Sequence, residues 1–247
     1  MTEVFYAVDH ILMSQGYDNP APHKHMAKHL IFSLDGDFGC KVDDMEIFCQ
    51  GICIDSEIKH TVNADGSRLL IFLFEETSNL AEELTKQFLI GGEYKILDHK
   101  LVLSIIKIWE RYKQEPVTLD LAILSACGLC QESSGKYEER VCRLLESVRK
   151  MDGIYDDTIC LLSKSLSLSQ SRMSHLFKEQ VGIALNSYLI FEKMRKAYTY
   201  IVNGENITKA CIRAGFDSSS HFSSTCKRMF GLSFTDFKKD AVFKEIS

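Results

Sequence analysis

The chain has 247 residues, of which 45% are hydrophobic and 26% charged, and a formal charge of −5 at pH 7. That length accommodates two domains, each with its own core. No run of eighteen apolar residues and no basic-then-apolar leader appears, so a cytoplasmic chain without a membrane span is expected. Nine cysteines, an odd number without framework spacing, argue against a disulfide scaffold. The charge is uneven. Residues 1–137 hold 12 Lys and Arg against 21 Asp and Glu, a net −9, while residues 138–247 hold 17 against 13, a net +4. An acidic module joined to a basic one that suits a polyanion has this asymmetry.

From Val4 to Phe74 short apolar or alternating runs (4–8, 30–34, 39–42, 46–48, 52–54 and 69–74) are separated by Asp35-Gly36, Asp43-Asp44, Gln50-Gly51 and Asp65-Gly66. Closely spaced strands predict a small antiparallel barrel or sandwich. His23 and His25 stand two apart, so on a strand both side chains point the same way. His29 follows, and His60 lies further on. Through His23-Lys24-His25, Gly36, Gly51 and His60 this half resembles a cupin. Convergence of His23, His25, His29 and His60 would suit one divalent metal ion, with imidazole favouring zinc, iron, nickel or copper. Without metal the same rings read as loop or pocket-lining histidines, and lining an effector pocket is the preferred reading.

Beyond Phe74 the period becomes helical. Residues 79–88 and 98–112 form two amphipathic runs, the second with Leu101, Ile105, Ile108, Trp109 and Tyr112 on one stripe. Pro116 is expected to end that helix and Thr118 to cap the next, which runs to about Cys130. Cys127-Gly-Leu-Cys130 lacks a second pair at metal spacing and reads as two buried helical cysteines. Residues 131–138, QESSGKYE, have linker composition. A helix over 137–150 follows, with Val141, Leu144, Leu145 and Val148 inward.

One pattern then occurs twice. Ile159, Ser163, Leu166 and Ser169 are matched by Ile207, Cys211, Ala214 and Ser218; Met173, Phe177, Lys178 and Gly182 are matched by Phe222, Cys226, Lys227 and Gly231. The offset is 48 in the first helix and 49 in the second, so the second copy has one extra residue in its turn. Each copy reads as helix, tight turn and second helix, with Ser169 and Ser218 as N-caps. Met173, Leu176, Phe177 and Phe222 would pack inward. The outward residues are short, polar or basic, suited to base edges and phosphates.

On these residues, above all the run from Ile207 to Lys239 with Gly215-Phe216, Phe222, Phe230-Gly231 and Phe237-Lys238, the chain resembles the AraC/XylS family of bacterial transcription regulators. The fold expected is α+β and multidomain. It comprises a cupin-like β-barrel over 1–76, a helical and dimerising segment over 77–130, a linker over 131–138, and an all-α domain with two helix-turn-helix motifs over 139–247. The resemblance implies double-stranded DNA as partner, a homodimer, a small-molecule effector in the barrel lined by His23, His25, His29 and His60, and activation through contact with RNA polymerase. It places Ser171, Ser174 and His175 on bases from the first recognition helix, and Ser219, Ser220, His221 and Ser224 from the second. Arg172, Lys178, Lys227, Ser169 and Ser218 fall at phosphates, with Gln170 on the same outward face. Many relatives carry arginine where this chain has His175 and Ser224, which implies more reliance on phosphate contacts and DNA shape. No enzymatic activity and no cofactor beyond a divalent metal are expected. The alternative is a metal-dependent cupin enzyme with a C-terminal interaction domain and Glu57 as its acid–base group.

Overall fold

Residues 28–33 and 69–74 are buried without interruption, so both strands need cover on two faces. The computed structural model, which describes residues 2–7, 9–16, 20–129, 137–230 and 241–245, supplies that cover. The chain divides into two units, one of residues Met1–Ser133 with Lys227–Ser247 and the other of Ser134–Cys226.

In the first unit the strands are β1 (Thr2–Tyr6), β2 (His10–Gly16), β3 (Lys28–Ser33), β4 (Phe38–Val42), β5 (Met45–Cys49), β6 (Gly51–Ile54), β7 (His60–Asn63), β8 (Arg68–Phe74), β9 (Tyr94–Ile96) and β10 (Ala241–Glu245). One sheet has the order β10-β1-β2-β8-β3-β6-β9 and the other β5-β4-β7. All pairs are antiparallel except β1 with β10. Alternation along the central strands sorts their side chains. Leu12, Leu30, Phe32, Leu70, Phe72 and Phe74 point to one face. There they join Leu80 and Leu84 of α1 (Asn79–Phe88), Val102, Ile105 and Trp109 of α2 (His99–Tyr112), and Leu119 and Ile123 of α3 (Pro116–Ala126) in one core. Met13, Ile31, Ile71 and Leu73 point to the other face, toward His60 and Val62 of β7. Helices cover one side of the large sheet and the small sheet covers the other.

Three sequence expectations change here. Gln50-Gly51 is less a turn than the entry to β6: a Cβ on Gly51 would stand 2.9 Å from Val102 Cγ2 and 3.1 Å from Leu97 Cδ1, so glycine lets α2 approach the sheet. Pro116 does not merely stop a helix. It begins α3, where its missing N–H costs nothing, and Thr118 lies inside that helix. The C-terminal domain does not extend uniformly to 247, because residues 241–245 pair with β1. The linker and Cys130 fall almost entirely outside the described residues, as do Gly231–Lys239.

The second unit contains α4 (Glu139–Lys150), α5 (Thr158–Ser165), α6 (Gln170–Val181), α7 (Leu185–Val202), α8 (Ile207–Ala214) and the start of α9 (Ser219–Phe230). Val141, Leu144, Leu145 and Val148 are buried as their spacing requires. Phe177 packs on Tyr188, and Phe222 on both Tyr198 and Phe216, with ring centroids 5.3, 5.6 and 5.2 Å apart. The buried Glu192 carboxylate of α7 accepts two 2.9 Å bonds from Arg195, and Lys196 beside it donates to the Arg149 carbonyl at 3.1 Å. A buried acid is tolerable only with such partners. The second bond ties α7 to the end of α4.

Candidate nucleic-acid interface and histidine cluster

Each second helix opens on its expected cap. Ser169 Oγ accepts from the Arg172 amide at 3.2 Å and Ser218 Oγ from the His221 amide at 3.1 Å, satisfying donors that a helix start leaves free. Met173, Leu176, Phe177 and Phe222 turn inward. Ser169, Gln170, Ser171, Arg172, His175 and Lys178 are exposed on or before α6, with Ser174 half-buried. On α9, Ser220, His221, Ser224 and Lys227 are exposed, and Ser218 and Ser219 half-buried. Every residue expected to face DNA therefore has accessible surface. Two of them have local bonds that compete: His221 Nδ1 lies 2.9 Å from Asp217 Oδ2, and Ser224 Oγ donates to the His221 carbonyl at 2.9 Å. Asn186 of α7 was not foreseen. It lines a groove of about 750 Å³ beside Ser171, Ser174, His175, Lys178 and Glu179.

The two turns solve one geometric problem differently. Gly215 follows α8 with φ 106°, and a Cβ there would sit 1.9 Å from the Ile154 carbonyl oxygen. No side chain fits. At the matching position Ser167 takes φ 53°, a left-handed conformation that costs a non-glycine residue about 1 kcal/mol or more.

In the barrel His23, His25, His29 and His60 converge. All four are buried, and one ring nitrogen from each lies within 4.8 Å of the others. Backbone bonds fix their orientation: His23 Nδ1 donates to the Ala21 carbonyl at 2.9 Å and His60 Nδ1 to the Ile58 carbonyl at 2.8 Å. His25 differs, since its Nδ1 accepts from the Ala27 amide at 3.1 Å. Buried His29 Nδ1 has no hydrogen-bond partner among the described residues. Burial lowers the pKa of all four, that of His60 to about 4 and those of His25 and His29 well below the usual histidine range. The rings are therefore neutral near pH 7. Met13, Ile31, Val62, Ile71 and Leu73 wall the space between them, whose volume is about 10 Å³. That is room for one water-sized sphere. Glu57, the acid–base candidate, is exposed with its carboxylate 3.7 Å from Lys24 Nζ.

His10 is the buried histidine that sequence reasoning passed over. It faces the helices, with Nδ1 2.8 Å from Asp9 and Nε2 2.8 Å from Asp120 of α3. Burial works to lower its pKa, but the two carboxylates prevail and raise it to about 9. Lys28 of β3 is likewise buried, between Asp55 and Glu76.

Residues 162–240 match the family model described as a helix-turn-helix domain. Regulatory protein ada of Salmonella typhimurium is 26% identical over 120 residues, which span 46% of this chain and 32% of that protein. Against LumQ of Photobacterium leiognathi, a probable transcriptional regulator, identity is 22% over 231 residues, 87% of this chain and 91% of that protein. ToxT from Vibrio cholerae, as an apo variant, superposes with a TM-score of 0.61 at 10% identity over 94% of this chain and 97% of its own. Wild-type ToxT with an unsaturated fatty acid bound gives 0.54 at 10% identity, covering 94% and 95%. At such identity the likeness is one of fold.

Proposed function

We propose that the chain is a ligand-responsive transcription regulator that reads double-stranded DNA with α6 and α9. The observation that carries this reading is the doubled motif itself: two capped helices in register, each with apolar residues inward and a polar, partly basic face outward. Arg172, Lys178 and Lys227 hold phosphates, while Ser171, Ser174, His175, Ser219, Ser220 and His221 meet base edges in successive major grooves. Serine discriminates bases poorly, so shape and phosphate contacts take a large share. Activation through contact with RNA polymerase belongs to this reading through the resemblance to AraC/XylS regulators. Two copies pair through α2 and α3, where Leu103, Val117 and Leu121 remain exposed. The barrel is the sensing part in this reading; ToxT, which shares the fold, has a structure with an unsaturated fatty acid bound.

The test is selection of the full chain on randomised duplex DNA at two salt concentrations. A motif with two information-rich blocks about one helical turn apart is expected. Binding without any motif, lost entirely at moderate salt, would overturn the reading of both helices as sequence readers.

A further inference from the structure

We infer that the four-histidine cluster binds one divalent first-row transition ion of the zinc type, and that this ion is the ligand to which the regulator responds. The inference rests on the sensing reading above and narrows it to a chemical class. Size is the first argument. A space of about 10 Å³ among the rings suits an atom-sized occupant, whereas pockets for organic effectors run to about 300 Å³ or more.

Donor chemistry is the second argument. A carbonyl can only accept, so the bonds to Ala21 and Ile58 put the protons of His23 and His60 on Nδ1 and leave each Nε2 lone pair free. A backbone carbonyl on the far nitrogen is the usual way a ligating imidazole is oriented. The third ring, His29, carries the buried nitrogen that no described residue satisfies. Among the described residues the cluster offers nitrogen and no carboxylate. Such a set selects borderline ions over magnesium or calcium, which require oxygen. His25 is cast as the supporting ring, because its Nδ1 accepts from Ala27 and its neutral form carries the proton on Nε2.

Rigidity is the third. His23 and His60 are locked by reciprocal backbone bonds of 3.0 and 2.9 Å, and His29 sits on β3, with its ring centroid 4.3 Å from that of His60. Tetrahedral ligands at about 2.0–2.1 Å stand roughly 3.4 Å apart. Coordination would draw together nitrogens that now lie within 4.8 Å of one another.

The experiment is titration of the full chain, freed of metal by chelation, with Zn2+, and with Co2+ as a spectroscopic probe. One ion per chain is expected, with the visible ligand-field absorption of a tetrahedral or five-coordinate nitrogen site. His29→Ala or His60→Ala should weaken binding at least a hundredfold, His25→Ala about tenfold, and exposed His99→Ala not at all. Binding to the selected DNA should change at least fivefold between zinc-loaded and chelated protein. Failure of the wild-type chain to bind Zn2+, Co2+, Ni2+ or Cu2+ overturns the metal site, and the DNA reading then stands or falls on the selected motif alone. Metal binding with unchanged DNA affinity overturns the regulatory half. The wild-type cobalt spectrum keeps the test independent of whether any variant folds.

Discussion

The two faces of the seven-stranded sheet hold the same residue type in opposite states. His10, on the face covered by helices, is flanked by Asp9 and Asp120 and has its pKa raised to about 9. His29 on the other face, and His60 of β7 in the small sheet that covers it, sit against other imidazoles and apolar walls, and burial lowers both. Burial alone does not determine the charge of a histidine. What determines it is whether the strand register turns the ring toward carboxylates or away from them. On one face the result is an internal ion pair that ties α3 to β2. On the other it is a set of neutral nitrogen donors.

The largest effect should come from breaking the charged side. Asp120→Ala leaves the His10 ring buried with only Asp9, and is expected to destabilise the chain by about 3 kcal/mol in urea unfolding. A loss near zero would mean that the ring is not charged and the contrast between the faces is spurious. The pH dependence comes next. With a folded pKa of about 9 against about 6.5 unfolded, the contribution of His10 is fully present below pH 6.5. It disappears as pH rises through 9, by at most about 3 kcal/mol. Unfolding midpoints measured from pH 6.5 to 9.5 should therefore fall, and in Asp120→Asn the fall should be shallower. Smaller again is Gly51→Ala, which pushes a methyl group toward Val102 and Leu97 under α2. It should cost about 1–3 kcal/mol by overpacking. Because that strain lies on the helix face, zinc affinity should be unaffected.

Much of this arrangement is legible in the sequence where the signal is local. Continuous apolar runs mark β3 and β8, and Ser169 and Ser218 announce the helices they cap. Strands without such runs are not legible. β2 begins at a histidine, β7 reads HTVN, and β9 has three residues, none of them buried. Each is a strand because of its neighbours in the sheet. β10 is the extreme case, since its partner β1 lies at the opposite end of the chain. The candidate site divides the same way. The spacing of His23 and His25 points both rings to one side, and the cupin resemblance adds His29 and His60. Nothing local connects His10 to Asp120 across 110 residues. Ser167 stands where the second copy has glycine, and its left-handed backbone cannot be inferred from a serine.

The smallest predicted change is the most discriminating between the two faces. His29→Leu removes the buried nitrogen that has no described partner and puts an apolar side chain of similar size against Ile31 and Leu73. In chelated protein the substitution should be neutral or stabilising by up to about 1 kcal/mol, because replacing an unsatisfied buried polar group relieves its desolvation cost. With zinc present the order should reverse. The wild type gains RT ln(1 + [L]/Kd), about 2.7 kcal/mol at a hundredfold excess over Kd, and the variant gains little. Thermal unfolding in the two conditions measures the crossing. On the helix face no such crossing is possible, since His10 already has both nitrogens bonded to carboxylates. If His29→Leu destabilises the chelated protein as strongly as Asp120→Ala does, the barrel rings are structural members in their own right, and the distinction between the two faces disappears.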